Sequence, residues 1–307
     1  MPTRSPLSRA LQALCLLGST GVVLAQDIEP RRWTPFPSGS NVAGLAYSYS
    51  TGDIDFDPVL AITDAEVDLH TAVATYVRAI GLWGKAARLD VRVPYQDAHW
   101  EGLLDGAPAS RRRQGFADPL LRLSMNLSGP PTGSREELQR FRATHASYTI
   151  LGIALGLQLP LGEYQEEKLL NLGQNRFRLR PQVGVLHERG PWSGEITAST
   201  SFFTDNDEFF GDSTLEQDPL HDVQAHVVRE LGARWWAAAG AAYAWDGAST
   251  LDGADKDDEK GDLLFGLSLG CPLGQRQSLR VGYVGTRTQE DTGTDSDGLF
   301  LSWTMLF

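Results

Sequence analysis

Residues 176–185 read RFRLRPQVGV. Phe177, Leu179, Pro181, Val183 and Val185 alternate with Arg176, Arg178, Arg180, Gln182 and Gly184. Successive side chains of a strand point to opposite faces, so this stretch has one apolar face and one cationic face. A helix would need apolar residues three or four apart and would mix the two sets. The same period of two recurs along the chain. Leu89, Val91, Val93 and Tyr95 alternate with Arg88, Asp90 and Arg92. Leu121, Leu123, Met125 and Leu127 alternate with Leu120, Arg122, Ser124 and Asn126. Val67, Leu69, Thr71, Val73, Thr75 and Val77 alternate with Asp68, His70, Ala72, Ala74, Tyr76 and Arg78. Leu299, Leu301, Trp303, Met305 and Phe307 share one face up to the end of the chain. Such segments number about twelve, and most reach the ~9–11 residues that cross a bilayer when tilted.

Composition agrees with this reading only once the alternation is seen. The chain has 307 residues, 41% hydrophobic and 21% charged, with a net charge of −12. That apolar content disfavours disorder. No run of apolar residues is long enough for a membrane helix. The acidic balance argues against a nucleic-acid partner. Abundant glycine, 32 residues, and only 2 cysteines suit an all-β protein.

Residues 1–25 read as a secretory signal. Arg4 and Arg9 precede an apolar run from Leu11 to Leu24, and Val23-Leu24-Ala25 before Gln26 is a small-residue cleavage site. Cleavage near Ala25–Gln26 leaves a mature chain of net charge −14 with Cys271 as its one cysteine, so no intramolecular disulfide can form. Residues 26–40, rich in Pro and Ser, read as an unstructured periplasmic lead-in. The barrel is expected over 41–307.

Connection lengths alternate as well. Short turns near 81–84, 187–191, 231–232 and 272–277 interleave with long polar loops near 52–66, 97–116, 161–174, 205–219, 247–261 and 290–297. Short turns on one side and long loops on the other mark an outer-membrane barrel with its long loops extracellular. An even strand count leaves both termini periplasmic. One connection, 129–145, is long on the short side. Ser134 followed by Glu136 and Glu137 predicts a short helix there. Tyr47, Tyr49, Tyr95, Trp192, Phe202, Trp235, Tyr243, Trp245, Trp303 and Phe307 lie near strand ends, where girdles belong. The fold expected is therefore all-β: an antiparallel transmembrane β-barrel of about twelve strands.

Several ordered motifs then resemble one family. They are Gly115-Phe116-Ala117-Asp118-Pro119, Leu159-Pro160-Leu161-Gly162-Glu163-Tyr164, Leu169 to Phe177 (LLNLGQNRF), and Phe203 to Gly211 (FTDNDEFFG) followed by Gln217-Asp218-Pro219. Together they resemble the MetA-pathway of phenol degradation family over about residues 40–307. The resemblance implies a barrel and a role in uptake of aromatic or other hydrophobic compounds. Phe307 resembles the C-terminal signal of the barrel assembly machinery. Lipid bilayer, lipopolysaccharide and a small hydrophobic or aromatic solute complete the expected partners, without a cofactor.

The alternation predicts the lumen. Arg88, Arg92, Arg122, Arg176, Arg178 and Arg180 face inward, as do Asp90 and Glu195, because charge is costly on the lipid face at mid-depth. Asp68, Asp222, Glu230, His70 and His226 are assigned inward as well, and Cys271 to the lipid face. The arginines read as a stripe that orients anionic or polarised aromatic solutes. They read also as an internal ion-pair network that fills a narrow barrel, the reading that small barrels favour, and both hold if the network lines a thin path. The acidic loops 252–262 and 291–298 read as solvated, since the second lacks calcium-loop ligands. Gly211-Asp212-Ser213-Thr214 and Asp218-Pro219-Leu220-His221 resemble hydrolase blocks. They lie in one loop, without the rigid elements a nucleophile and base require, so no catalytic residue is expected. The function expected is passive admission of small hydrophobic or aromatic molecules. A lipid-modifying barrel enzyme and a sealed structural or adhesion barrel are the alternatives.

Overall fold

The computed structural model describes residues 28–55, 62–211, 213–232 and 235–307. The expected signal segment lies outside them. Among the described residues, twelve wall positions close into an antiparallel barrel. The wall begins with β1 (Asn41–Asp55), β2 (Ile62–Leu82) and β3 (Lys85–Leu104). Its fourth position is divided between β4 (Ala107–Phe116) and β5 (Leu120–Asn126), which pair with the outer and inner halves of β3. The wall continues through β6 (Ser147–Gln158), β7 (Arg178–Arg189) and β8 (Trp192–Phe203). Two short strands, β9 (Asn206–Phe209) and β10 (Ser213–Gln217), leave the wall before β11 (Leu220–Gly232) and β12 (Trp235–Asp246) resume it. After β13 (Ser249–Leu251) and β14 (Ala254–Asp255), the wall ends with β15 (Lys260–Leu273), β16 (Gln277–Thr288) and β17 (Gly293–Leu306). β1 pairs with β17, and Asn41 and Phe307 exchange backbone hydrogen bonds at 2.9 and 2.8 Å, closing the wall at the periplasmic rim. Closure removes the open sheet edge that lipid cannot tolerate.

The apolar faces point to lipid as expected. In β7, Leu179, Val183 and Val185 are exposed while Arg178, Arg180 and Gln182 are buried. Val183 lies at the middle of β7, so Val183→Arg is expected to cost about 2–4 kcal/mol. Urea unfolding of the refolded barrel in lipid vesicles measures it; an unchanged midpoint would place this face away from lipid. Cys271 lies on the outward parity of β15, between Leu269 and Leu273.

Three departures from the sequence reading have plain causes. First, the long loops are partly strand. The expected loop 97–116 is a β3–β4 hairpin turned by Asp105 and Gly106, both at positive φ (50° and 75°), which suits a two-residue hairpin turn. Residues 293–297 likewise belong to β17. These strands run on beyond the bilayer. Second, β2 is inverted relative to the reading. Val67, Leu69 and Thr71 are buried inside, and Asp68 and His70 face outward. Both of their partners lie on the outer face: Tyr49 Oη donates to Asp68 at 2.6 Å, and Tyr47 Oη meets His70 Nδ1 at 2.6 Å. Each of the two is satisfied by a tyrosine hydroxyl on that face, so neither needs the lumen.

Third, the lead-in is not free in the periplasm. From Ile28 to Phe36 it is packed inside the barrel, crossing from β15 and β16 to β8 and back to β3. The reason is its content. Ile28 and Trp33 are buried apolar residues, and the charges between them find partners on the wall. Ser38 and Gly39 then leave along the rim, donating to the carbonyls of Gly133 and Ala79 at 2.8 and 3.0 Å. The helix expected in 129–145 is present as α1 (Arg135–Thr144), with Ser134 and Glu137 forming a reciprocal capping box.

Candidate functional site

Apart from Asp68 and His70, which face outward on β2, the lumen residues singled out from the alternation lie inside the barrel or at one of its mouths, Glu230 at the periplasmic rim. Asp90 is buried between two arginines, 3.0 Å from Arg122 Nε and 3.3 Å from Arg88 Nε. Arg92 pairs with Glu29 of the inserted segment, and Arg122 Nη2 lies 3.9 Å from the same carboxylate. Arg180 donates to Asp222 at 2.7 Å and to Ser199 at 2.9 Å. Arg178 donates to Ser201 at 2.9 Å. Arg176 precedes β7 and is buried at the extracellular mouth, where it donates to Gln217 and stacks 4.6 Å from the centroid of Phe203. Glu195 is buried deep in the wall and accepts the backbone N–H of Trp33 at 3.0 Å. The arrangement is thus an ion-pair network, as one of the two readings required. Part of its acid comes from the inserted segment.

That segment is what sequence reasoning missed. Trp33 is 1% exposed. Its Nε1 donates to Thr197 at 2.8 Å, and Asn126 Nδ2 donates to its carbonyl at 3.2 Å. Its ring lies over Gly152 and Gly184, which face inward directly opposite each other on β6 and β7. A Cβ on either glycine would lie 2.1 Å from the ring, so the slot exists only because both lack one. Arg31 lies 3.6 Å from Glu230 at the rim and 5.5 Å from the Trp236 centroid. A tryptophan straight after two arginines in a supposed linker was the available signal, because a solvated linker has no use for an indole.

The family-like motifs meet at the extracellular roof. The Asp118 carboxylate accepts backbone N–H groups of Gly162 and Gln174 at 2.9 and 2.8 Å, and Gln158 Nε2 at 3.3 Å. Asn206 joins Asn175 and Tyr164 at 3.0 and 2.8 Å. Segments far apart in sequence therefore share one polar knot over the lumen. Above it, β9, β10, β13 and β14 form a small sheet around Phe209, Leu215 and Leu251. In the acidic loop 252–262, Lys256 and Asp258 are buried rather than solvated, 3.4 Å apart. Burial pushes the Lys256 ammonium down. Burial would raise Asp258, but Lys256 and Lys260 outweigh it and hold the carboxyl low.

Below the roof lies a cavity of about 70 Å³, bounded beneath by Arg32 of the inserted segment. Smaller cavities of about 20 and 10 Å³ flank Trp33 and Ile28. The hydrolase-like blocks do not assemble a dyad. His221 Nδ1 meets Thr200 at 2.9 Å and Nε2 faces Asp246 at 3.7 Å, while Ser213 pairs along β10 with Phe209. Asp212 lies outside the described residues.

A closed twelve-position wall, lipid-facing apolar alternation, aromatic rims and a charged interior define an outer-membrane β-barrel. The profile of the family described as "Putative MetA-pathway of phenol degradation" matches residues 38–303, and the chain belongs to that family. Among solved structures, an outer membrane channel from Pseudomonas putida F1 is similar in fold. It has a TM-score of 0.75 and 19% identity, with 92% of this chain and 100% of that one covered. The transport unit of the autotransporter AIDA-I from Escherichia coli is more distant. Its TM-score is 0.50 at 9% identity, with 99% of each chain covered. No curated protein sequence matches the chain.

Proposed function

We propose that this protein is an outer-membrane channel that passively admits small aromatic or other hydrophobic compounds. One observation carries the reading. The barrel interior is charged and polar, and part of what fills it is a segment of the chain's own N-terminus, held by non-covalent contacts. A purely structural barrel of this width would be filled by side chains of its own wall. An interior charged network closed by a separable segment is instead suited to being hydrated when that segment leaves. The family's association with phenol degradation and the fold of the Pseudomonas putida channel support the same assignment.

Cleavage near Ala25–Gln26 fits this reading, since it would leave Ile28 as the third residue of the mature chain and free the segment's outer end. Phe307 is exposed at the periplasmic rim, in keeping with a role as the assembly signal. Lipopolysaccharide and phospholipid would contact the exposed apolar face. Planar-bilayer recordings and swelling of proteoliposomes in benzyl alcohol test the proposal with the refolded mature chain. Discrete current steps and solute entry above protein-free vesicles are expected. Absence of both, with the chain shown to be inserted, would leave a sealed barrel.

A further inference from the structure

The outward side of the wall carries one row that hydrocarbon cannot satisfy. Arg189 ends β7, Trp192 begins β8, and Arg229 lies near the end of β11. In the strand register Arg189 faces Trp192, and Trp192 faces Arg229. All three side chains are exposed on the lipid-facing parity, in line with Val185, Ile196 and Val227 of the same strands. Register partners stand about 5 Å apart, so the indole has an arginine on each side. The Arg229 guanidinium lies 5.0 Å from the Trp192 centroid. The wall is held at this level, since the Glu230 backbone N–H donates to the Pro191 carbonyl at 2.7 Å.

The protein does not answer the charge of this row. Among the described residues neither Arg189 nor Arg229 pairs with a carboxylate. Their acidic sequence neighbours, Glu188 and Glu230, lie on the inward parity. Tyr148 donates to the first, and Arg31 lies 3.6 Å from the second. A single arginine reaching for headgroups would be ordinary, but two that bracket an indole define a shape. On the bilayer side of the row, Gly194 sits between His187 and Val227. A Cβ there would meet nothing within 4 Å, so a strip of open surface runs from Trp192 toward the bilayer centre.

We propose that Arg189, Trp192 and Arg229 bind the phosphate of an anionic phospholipid, with one acyl chain lying over Gly194. The row stands at the periplasmic end of the wall, beside the turn between β7 and β8, so phospholipid of the periplasmic leaflet supplies the phosphate and lipopolysaccharide does not. Guanidinium groups match phosphate oxygens with paired, charge-assisted hydrogen bonds. An indole belongs at headgroup depth. A zwitterionic lipid brings its own ammonium to a pair of cations, and an anionic one does not. The site lies outside the lumen and is independent of what the channel admits.

Native mass spectrometry of the refolded mature chain, with phosphatidylglycerol or phosphatidylethanolamine added in detergent, tests this. One phosphatidylglycerol is expected to be retained about tenfold more tightly than phosphatidylethanolamine, through the attraction of two arginines for an anionic headgroup. The double variant Arg189→Gln, Arg229→Gln is expected to abolish the preference. Where it does not reach the folded form, Arg189→Gln alone serves and lowers the preference to about threefold. Arg78→Gln is expected to keep it, because Arg78 is an outward arginine of the same rim with Asn41 and Leu89 as its register neighbours. Gly194→Leu fills the open strip and is expected to weaken both lipids alike. Equal retention of the two lipids by the wild type overturns the charge recognition. A preference that survives the arginine variants, or that Arg78→Gln removes as well, overturns the location. Binding unaltered by Gly194→Leu overturns the placement of the chain.

Discussion

Removing residues 26–36 from the mature chain is expected to raise single-channel conductance several-fold, and Trp33→Ala to raise it part of the way. The segment crosses the whole lumen, and its central anchor is the indole. Trp33 is buried, bonds Thr197 and Glu195 through its two N–H groups, and seats on the paired glycines 152 and 184. Truncating a buried tryptophan to alanine typically removes about 3–5 kcal/mol of packing. Besides Trp33, the segment is held by Glu29 on Arg92, Arg31 on Glu230 and Ile28 packed against Leu264 and Val284, before Ser38 meets the rim. The barrel itself should survive, because its backbone hydrogen bonds run from strand to strand and do not involve the segment. The charges uncovered on Arg92, Arg122 and Glu195 would be hydrated once water enters, which lowers the cost of exit. Gly184→Val should reproduce the effect from the other side, since its side chain would occupy the ring's place. Recordings across these variants decide the matter: an unchanged conductance in all of them would mean that the segment does not obstruct the path.

Asp90→Asn is expected to destabilise the barrel by about 3–5 kcal/mol, the cost of leaving buried charge without its partner. Asp90 is 3% exposed and holds Arg122 and Arg88 within 3.3 Å. Neutralising it leaves Arg88, Arg92 and Arg122 facing Glu29, whose own position depends on the inserted segment. The double variant Asp90→Asn, Arg122→Met should recover much of the loss, because it removes the orphaned charge and keeps the volume. Urea midpoints of the folded, heat-modifiable form on gels compare the three. Equal midpoints for wild type and Asp90→Asn would show that water reaches this network in the closed barrel and screens it. The same pair should also interact with the first prediction. In a chain lacking residues 26–36, Asp90→Asn should cost less, since the opened lumen hydrates the arginines.

The inward placement of the arginines followed from local chemistry. In β7 every second residue is apolar from Leu179 to Val185, and lipid leaves no other place for Arg178 and Arg180. The same logic located Asp90, Glu195 and Arg122. It failed for β2, where Asp68 and His70 face outward and bond to tyrosines, and where Ala72, Ala74 and Tyr76 give the outer face apolar residues as well. When both faces are apolar, alternation no longer says which is inside. The acidic loop 252–262 misled in another way. Its charge suggested solvation, but Lys256 and Asp258 neutralise one another and are buried together.

The opening decapeptide, RFRLRPQVGV, therefore carried the class of fold in its period of two, since a strand's two faces are set by backbone geometry within a few residues. The strand count, the lipid face and the sign of the interior charge followed from repeating that local reading. Whether the interior is open was not a local property. It depends on Trp33 meeting Glu195 and Thr197, 162 and 164 residues away, and on Gly152 and Gly184 falling opposite each other across two strands. Register and long-range contact place these groups together. No period along the chain encodes them, so the inserted segment, the roof around Asp118 and the cavity between them became visible only once the barrel was closed.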